Sequence, residues 1–188
     1  MVKILVIGSG AREHAIIKSL NESKKEKEIY CLASNNNPGI SDICKEMEIV
    51  DINDAQLIKK YSIKQSINIA IIGPESPLAY GVADSLWEAG IGVIGPKKNL
   101  AQIETSKSFT RNLLKEYNIP GCPKFKTFTS MKGVKGFLSL LDENYVVKYD
   151  GLAGGKGVKV AGDHLHSHEE ALLYCKELIK SGGHFLIE

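Results

Sequence analysis

From its N-terminus the chain alternates short, continuous apolar runs with stretches in which apolar residues recur at every third or fourth position. The continuous runs, at residues 3–7, 29–33, 48–50, 67–72 and 93–94, are rich in Val and Ile and too short for helices, so they predict strands. Between them, Ile16 with Leu20, Leu57 with Ile58 and Tyr61, and Leu78 with Val82 and Leu86 fall at helical spacing and give each segment one apolar face. Strand–helix alternation of this kind specifies an α/β domain: an open parallel sheet with helices on both faces. Gly90 falls where a left-handed helix cap belongs, and Gly95-Pro96 closes the last strand.

The pattern then changes. Residues 99–117 predict a helix broken near Thr105-Ser106, and Ile119-Pro120-Gly121 ends it. A strand at 124–128, a helix at 131–141 with Val134, Phe137, Leu138 and Leu141 on one face, and strands at 145–150 and 157–161 around a glycine loop follow. Ser167 opens another helix, with Glu170 three residues on to complete a capping box, and a strand begins at Phe185. The expected organisation is an N-terminal α/β domain over residues 1–102, a linker helix over 103–123 and a small α+β subdomain over 124–188. Because the last strand runs to Glu188, the chain is expected to be truncated at the C-terminus, as part of a longer protein.

Composition narrows the class of partner. With 43% hydrophobic and 24% charged residues the chain is globular rather than disordered. Its 24 basic residues nearly balance 22 acidic ones, so no broad field draws nucleic acid or an anionic membrane, and any anion must be bound locally. The apolar run at 4–7 is too short for a signal segment or a membrane span, which favours a cytoplasmic protein. Cys31, Cys44, Cys122 and Cys175 form no C-x-x-C pair and read as scattered reduced thiols, buried or inert.

Two glycine turns carry candidate chemistry. The first, Gly8-Ser9-Gly10, follows the first strand and precedes Ala11-Arg12-Glu13-His14. A dinucleotide fingerprint needs a third glycine where Glu13 stands and an acidic residue after the second strand, where Ala33-Ser34-Asn35 occur, so NAD is disfavoured. A helix N-terminus after a glycine turn still suits a single phosphate, as on a phosphorylated substrate. The second, KYDGLAGGKGV at 148–158, is not a Walker A loop. Gly151 lies one residue too close to Gly155, Gly157 replaces the hydroxyl residue after Lys156, and a strand follows in place of a helix. What remains is a glycine loop at a hairpin tip that folds over a nucleotide, its amides and Lys156 meeting phosphate oxygens, or else a hairpin turn with solvated lysines. Lys148 shares a strand face with Val146 and Asp150, where an ammonium group requires an anionic partner.

Other features read more plainly. His164, His166 and His168 suit a surface loop turning into a capped helix better than a metal site, residues 24–28 (KKEKE) form a solvated stretch, and Trp87 is expected to pack within its helix.

Taken in order, Val6-Ile7-Gly8-Ser9-Gly10-Ala11-Arg12-Glu13-His14-Ala15, Gly73-Pro74-Glu75-Ser76-Pro77-Leu78 with Gly81, Ile103-Glu104-Thr105-Ser106-Lys107-Ser108-Phe109 and the late glycine loop closely resemble the phosphoribosylamine-glycine ligase family, a branch of the ATP-grasp superfamily. The resemblance spans essentially the whole chain. It implies a Rossmann-like pre-ATP-grasp domain followed by the ATP-grasp lid, and ATP-dependent ligation of glycine to 5-phosphoribosylamine through a glycyl phosphate. ATP-grasp carboxylases, other amide-forming relatives and a non-catalytic nucleotide-binding module are the alternatives. Carried over, it implies ATP contacts from Lys107, Lys148, Gly151, Gly154, Gly155, Lys156, Gly157, Val158 and Glu188, and substrate contacts from Gly8, Ser9, Gly10, Arg12, Glu13, Pro74 and Glu75. The Mg2+ ligands are expected beyond residue 188, so these residues alone are not expected to catalyse turnover. Ala11 stands where the family usually has glycine, Tyr149 where it has a small residue, and Asn35-Asn36-Asn37-Pro38-Gly39 where P-G-N-x-G is usual.

Overall fold

A computed structural model describes residues 1–154 and 156–188. The chain divides into two compact units, Met1–Ala101 and Gln102–Glu188. In the first, β1 (Val2–Ile7), α1 (Ala11–Glu22), β2 (Lys27–Ala33), α2 (Pro38–Ser41), β3 (Glu46–Ile49), α3 (Ala55–Lys64), β4 (Ile69–Ile72), α4 (Glu75–Ala79), α5 (Val82–Glu88) and β5 (Gly92–Ile94) follow in order. The strands form a five-stranded sheet ordered β3-β2-β1-β4-β5, and every pairing is parallel.

Strand periodicity splits the apolar side chains between two cores. Leu5 and Ile7 of β1 face a cluster with Leu32, Ile58, Val82 and Leu86, which α3 and α5 cover. Ile4 and Val6 face the opposite way, into a cluster with Cys31, Ile17 of α1 and Ile40 of α2. The expected parallel sheet with helices on both faces is what the chain forms, because the run Ile4-Leu5-Val6-Ile7 of β1 is buried on both sides with no polar residue in it.

Boundaries move where glycine or register intervenes. The expected single helix through Leu78, Val82 and Leu86 is two, since Gly81 adopts φ +80° and turns the chain between α4 and α5. The third strand lies at Glu46–Ile49 rather than 48–50, set by its pairing of Tyr30 with Glu46 through Ala33 with Ile49. The 67–72 strand starts at Ile69, as Asn68 accepts the bond from Lys3 through its side chain. Trp87 sits on α5 but is 45% exposed, on the helix's outer side rather than packed.

After α6 (Lys98–Thr105), the helix break falls at Ser106, whose Oγ accepts a hydrogen bond from the Phe109 amide and caps α7 (Lys107–Glu116). The second unit continues with β6 (Lys126–Phe128), α8 (Val134–Leu141), β7 (Val146–Tyr149), β8 (Val158–Val160), α9 (His168–Lys180) and β9 (Phe185–Ile187). The four strands form an antiparallel sheet ordered β6-β9-β7-β8. Phe128, Leu138, Val147, Cys175, Phe185 and Ile187 fill the core that α8 and α9 cover. The helix expected from residue 131 begins at Val134, because Gly133 has φ +82°. Ser167 does cap α9 by accepting from the Glu170 amide, but the Glu170 carboxylate accepts from the His166 amide rather than from Ser167. Among the described residues, no helix is long and apolar enough to cross a membrane.

Candidate functional site

In the first unit the chain leaves the sheet in one direction through β2 and β3 and in the other through β4 and β5, so the topological switch lies between β1 and β4. A crevice forms beyond the carboxyl ends of such strands, and ligands of open α/β sheets bind there. The residues at these two ends are the Gly8–Arg12 turn and Gly73-Pro74-Glu75, and a cleft of about 300 Å3 lined by Gly10, Ala11, Arg12, Glu13, Pro74 and Glu75 opens between them. Arg12 lies at its rim. Its Nη1 donates to the Gly73 carbonyl at 2.7 Å and stands 3.5 Å from Glu75 Oε1, leaving much of both side chains in solvent.

Glu13 does something different. It is 5% exposed, and its Oε2 accepts from the Gly10 amide at 2.7 Å. A Cβ on Gly73 would lie 2.1 Å from Glu13 Oε1, and one on Gly8 would lie 2.9 Å from Glu13 Cγ. Glu13 is therefore the plug around which the Gly8–Gly10 turn and the turn at Gly73 are folded, and the Gly10 amide is already spoken for. Gly8 itself has φ +115°, which a side-chain-bearing residue rarely adopts.

The asparagine-rich stretch after β2 has a structural task that the sequence pattern did not disclose. Asn37 caps α2 by accepting from the Ile40 amide at 3.4 Å, and its Nδ2 donates to the Ser9 carbonyl at 2.9 Å. The Asn35 amide donates to Ser9 Oγ at 3.2 Å, so Ser9 is held by this loop. An Asn followed by Pro at the first helical position is a helix-start signal that could have found α2. The Cys31 thiol donates to the Gly8 carbonyl at 3.3 Å. A hydrogen bond with Cys44, then burial, push this thiol up, so the fold brings together two cysteines that the sequence shows as scattered. Burial pushes the Cys175 thiol up to about 12, leaving it inert at neutral pH.

In the second unit the glycine loop joins β7 to β8, which pair antiparallel from Lys148 with Val158 to Val146 with Val160. The hairpin reading thus holds, and the loop does not enter a helix. Gly151 has φ +155° and Gly154 φ +53°. Lys156 is exposed, with its amide donating to the Ala153 carbonyl at 2.9 Å, and Gly157 precedes Val158 at the start of β8. Gly155 lies outside the described residues. The loop is built around Tyr149. A Cβ on Gly151, Gly157 or Gly183 would approach this side chain to 2.7, 2.9 and 2.7 Å, so a large residue here is matched by three glycines.

Helix α7 anchors the loop's start. Asp150 Oδ1 accepts from the Ser108 amide at 3.1 Å and from Ser106 Oγ at 3.2 Å, and Lys107 Nζ donates to the Gly151 carbonyl at 2.9 Å. An acid at the start of a glycine loop and a Ser-Lys-Ser helix start 42 residues earlier carry no local sequence signal of meeting.

Lys148 and Glu188 share the face of the sheet opposite Val147, and Glu188 is tied to β7 by bonds with the Val146 amide and carbonyl. Glu188 is the anionic partner that Lys148 required: the ammonium binds its Oε1. Arg111 of α7 completes the group, with Nε 2.5 Å from Glu188 Oε2 and Nη2 3.0 Å from Oε1. The Glu188 side chain is 8% exposed. Burial acts to raise its pKa, but the hydrogen bonds from Arg111 and Lys148 outweigh it and hold the carboxyl below its usual range. A carboxyl depressed in the folded state contributes stability above its unfolded pKa of about 4.3, and that stability is lost as pH falls through the lower folded value. Thermal melts of the second unit are thus expected to shift downward on acidification below about pH 4, and Glu188→Gln is expected to flatten that part of the profile.

The three histidines do not converge. His164 Nδ1 accepts from the Val160 amide at 3.3 Å, the His168 ring meets the Asp142 carbonyl at 2.9 Å, and only the amide of His166 is engaged, by Glu170. Among the described residues no group of three or more His, Cys, Asp or Glu is placed to hold a metal ion.

Comparison with known proteins identifies the family of both units. Residues 2–104 match the family described as phosphoribosylglycinamide synthetase, N domain, and residues 105–187 its ATP-grasp (A) domain. The chain is 44% identical to the phosphoribosylamine–glycine ligase of Methanosarcina barkeri over 182 residues, covering 97% of this chain and 42% of that protein. It superimposes on the crystal structure of the phosphoribosylamine–glycine ligase of Thermotoga maritima with a TM-score of 0.75 and 25% identity, over 100% of this chain and 43% of that one. It shares its fold with N5-carboxyaminoimidazole synthetase from Staphylococcus aureus, crystallised with ADP, at a TM-score of 0.72 and 13% identity, over 100% of this chain and 46% of that one. The chain therefore spans about two-fifths of the length of such relatives. With both family domains matched in order across nearly every residue, the chain belongs to the phosphoribosylglycinamide synthetase family, the ATP-grasp phosphoribosylamine–glycine ligases.

Proposed function

We propose that these residues supply the phosphoribosylamine-facing turns and the nucleotide-gripping loop of an ATP-dependent ligase that joins glycine to 5-phosphoribosylamine. A glycine carboxylate oxygen attacks the γ-phosphorus of ATP and releases ADP. The amine of phosphoribosylamine then attacks the carbonyl carbon of glycyl phosphate and expels inorganic phosphate, giving glycinamide ribonucleotide. Both steps bring anions together, so positioning and charge neutralisation carry the rate, and lysines with backbone donors matter more than a nucleophilic side chain.

The observation that carries this reading is the second unit's arrangement: a glycine loop at the tip of an antiparallel hairpin, with Lys148 on the strand leading into it and Lys107 hydrogen-bonded to its first residue. Both ammonium groups rest on oxygens that a triphosphate can replace. Gly151, Gly154, Gly155, Lys156, Gly157 and Val158 would cover the phosphates, and Glu188 would face the adenine and ribose. In the first unit, Gly8, Ser9, Gly10 and Arg12, with Pro74 and Glu75, would meet the phosphoribosyl group in the switch-point crevice, Glu13 holding that turn in shape. Magnesium would be bound by residues other than these. Small diffusible substrates and four free thiols agree with a cytoplasmic setting.

The test is ADP release by the protein that carries this chain. Release is expected only when glycine and phosphoribosylamine are both present. Release driven by bicarbonate instead would turn the assignment toward a carboxylase, and ATP binding with no release under either condition would turn it toward a binding module.

A further inference from the structure

Glu188 is held by more positive charge than a single carboxylate needs. It is almost fully buried, and two cations from separate elements, Arg111 of α7 and Lys148 of β7, converge on it. The two contacts are unlike. Arg111 makes two parallel N–H to O bonds at 2.5 and 3.0 Å, a fork that matches a carboxylate and cannot lose its proton, whereas Lys148 touches one oxygen with a point charge on a flexible stem.

We propose that Arg111 is a positioning residue for the nucleotide site: it holds Glu188 neutralised and oriented so that Lys148 is free to move from the carboxylate to a phosphate oxygen when ATP arrives. This rests on the reading of Lys148 as a phosphate contact. A buried carboxylate stripped of its only partner is strongly disfavoured, so if Lys148 were the sole counter-charge it would be retained by Glu188 and withheld from the nucleotide. With the guanidinium fork in place, the ammonium leaves without orphaning the carboxylate, and the fork fixes Glu188 for the base and ribose. Arg111 touches no phosphate itself; its effect passes through Glu188 and Lys148.

The test is a double-mutant cycle on the protein that carries this chain, read by equilibrium titration with ATP and, separately, with adenosine. Arg111→Gln is expected to weaken ATP binding about tenfold or more, about 1.4 kcal/mol, and adenosine binding by much less, since the withheld group serves the phosphates. In a Glu188→Gln background, where nothing retains Lys148, the same substitution is expected to cost less than about threefold. Arg111→Lys is expected to recover part of the loss. Without nucleotide, Arg111→Gln should also move the acid loss of stability to higher pH, because Glu188 loses two of its hydrogen bonds.

Equal losses of ATP affinity in the two backgrounds, or equal losses for ATP and adenosine, would reduce Arg111 to a packing residue and overturn the proposal. Unchanged ATP affinity in Arg111→Gln would overturn it while leaving the proposed ligase activity standing. Absence of ATP binding by the unsubstituted protein would remove both.

Discussion

Gly73→Ala is expected to destabilise the first unit by about 3 kcal/mol, lowering its melting temperature by on the order of 10 °C in a thermal scan. The backbone conformation of Gly73 is not the obstacle, as its φ is not positive. The obstacle is Glu13, whose Oε1, Cδ and Cγ lie 2.1, 2.5 and 2.5 Å from where the new Cβ would stand. Glu13 cannot swing aside at no cost, because it is buried and its carboxylate holds the Gly10 amide. Moving it breaks that bond, frees a helix-start donor and leaves a buried carboxylate seeking a partner. A Glu13→Ala background isolates the cause: there the Gly73 substitution should lose most of its additional cost. A cost of the same size in both backgrounds would place the strain elsewhere.

Lys148→Ala is expected to weaken ATP binding about 100-fold, measured by titration of the protein that carries this chain. The fold should survive the change, since Arg111 continues to neutralise Glu188 through both of its bonds and the Lys148 side chain lies outside the core formed around Val147. The melting temperature should accordingly move far less than the affinity. An unchanged nucleotide titration would remove Lys148 from the phosphate site and with it the main support for the proposed activity.

How much of this was legible in the sequence depended on the range of the interaction. The parallel strands were plain because residues 4–7 of β1 and 29–33 of β2 are unbroken runs without a charged residue, and that pattern answers to burial on both faces. The break at Ser106 was legible for a local reason, a hydroxyl that caps its own helix. Helix α2 escaped notice because four residues carry no periodicity, although Asn37 before Pro38 marked its start. The division at Gly81 escaped because Leu78, Val82 and Leu86 keep helical spacing across a residue that leaves the helix.

At the site, the glycines and the lysines of the loop stood out by composition, but the residues that arrange them did not. Arg111 reads as one more cation on an amphipathic helix, and its partner lies 77 residues away. Glu13 reads in the sequence as an ordinary first-turn acid, and only the fold shows Gly8 and Gly73 closing around it. Asp150 and Asn37 likewise act through carbonyls and amides that only the fold brings near. Sequence motifs reveal the groups that would meet a ligand; the buttresses behind them are set by contacts across the sheet, where no spacing rule applies.

The setting of Tyr149 bears on which residues its neighbours can be. Gly151 and Gly183 bring bare backbone against opposite edges of its ring, and Gly157 against its Cβ, so no methyl or larger group stands at any of the three approaches. One aromatic side chain therefore limits residue size at three separate positions of the unit, and a single added methyl at any of them would collide with it.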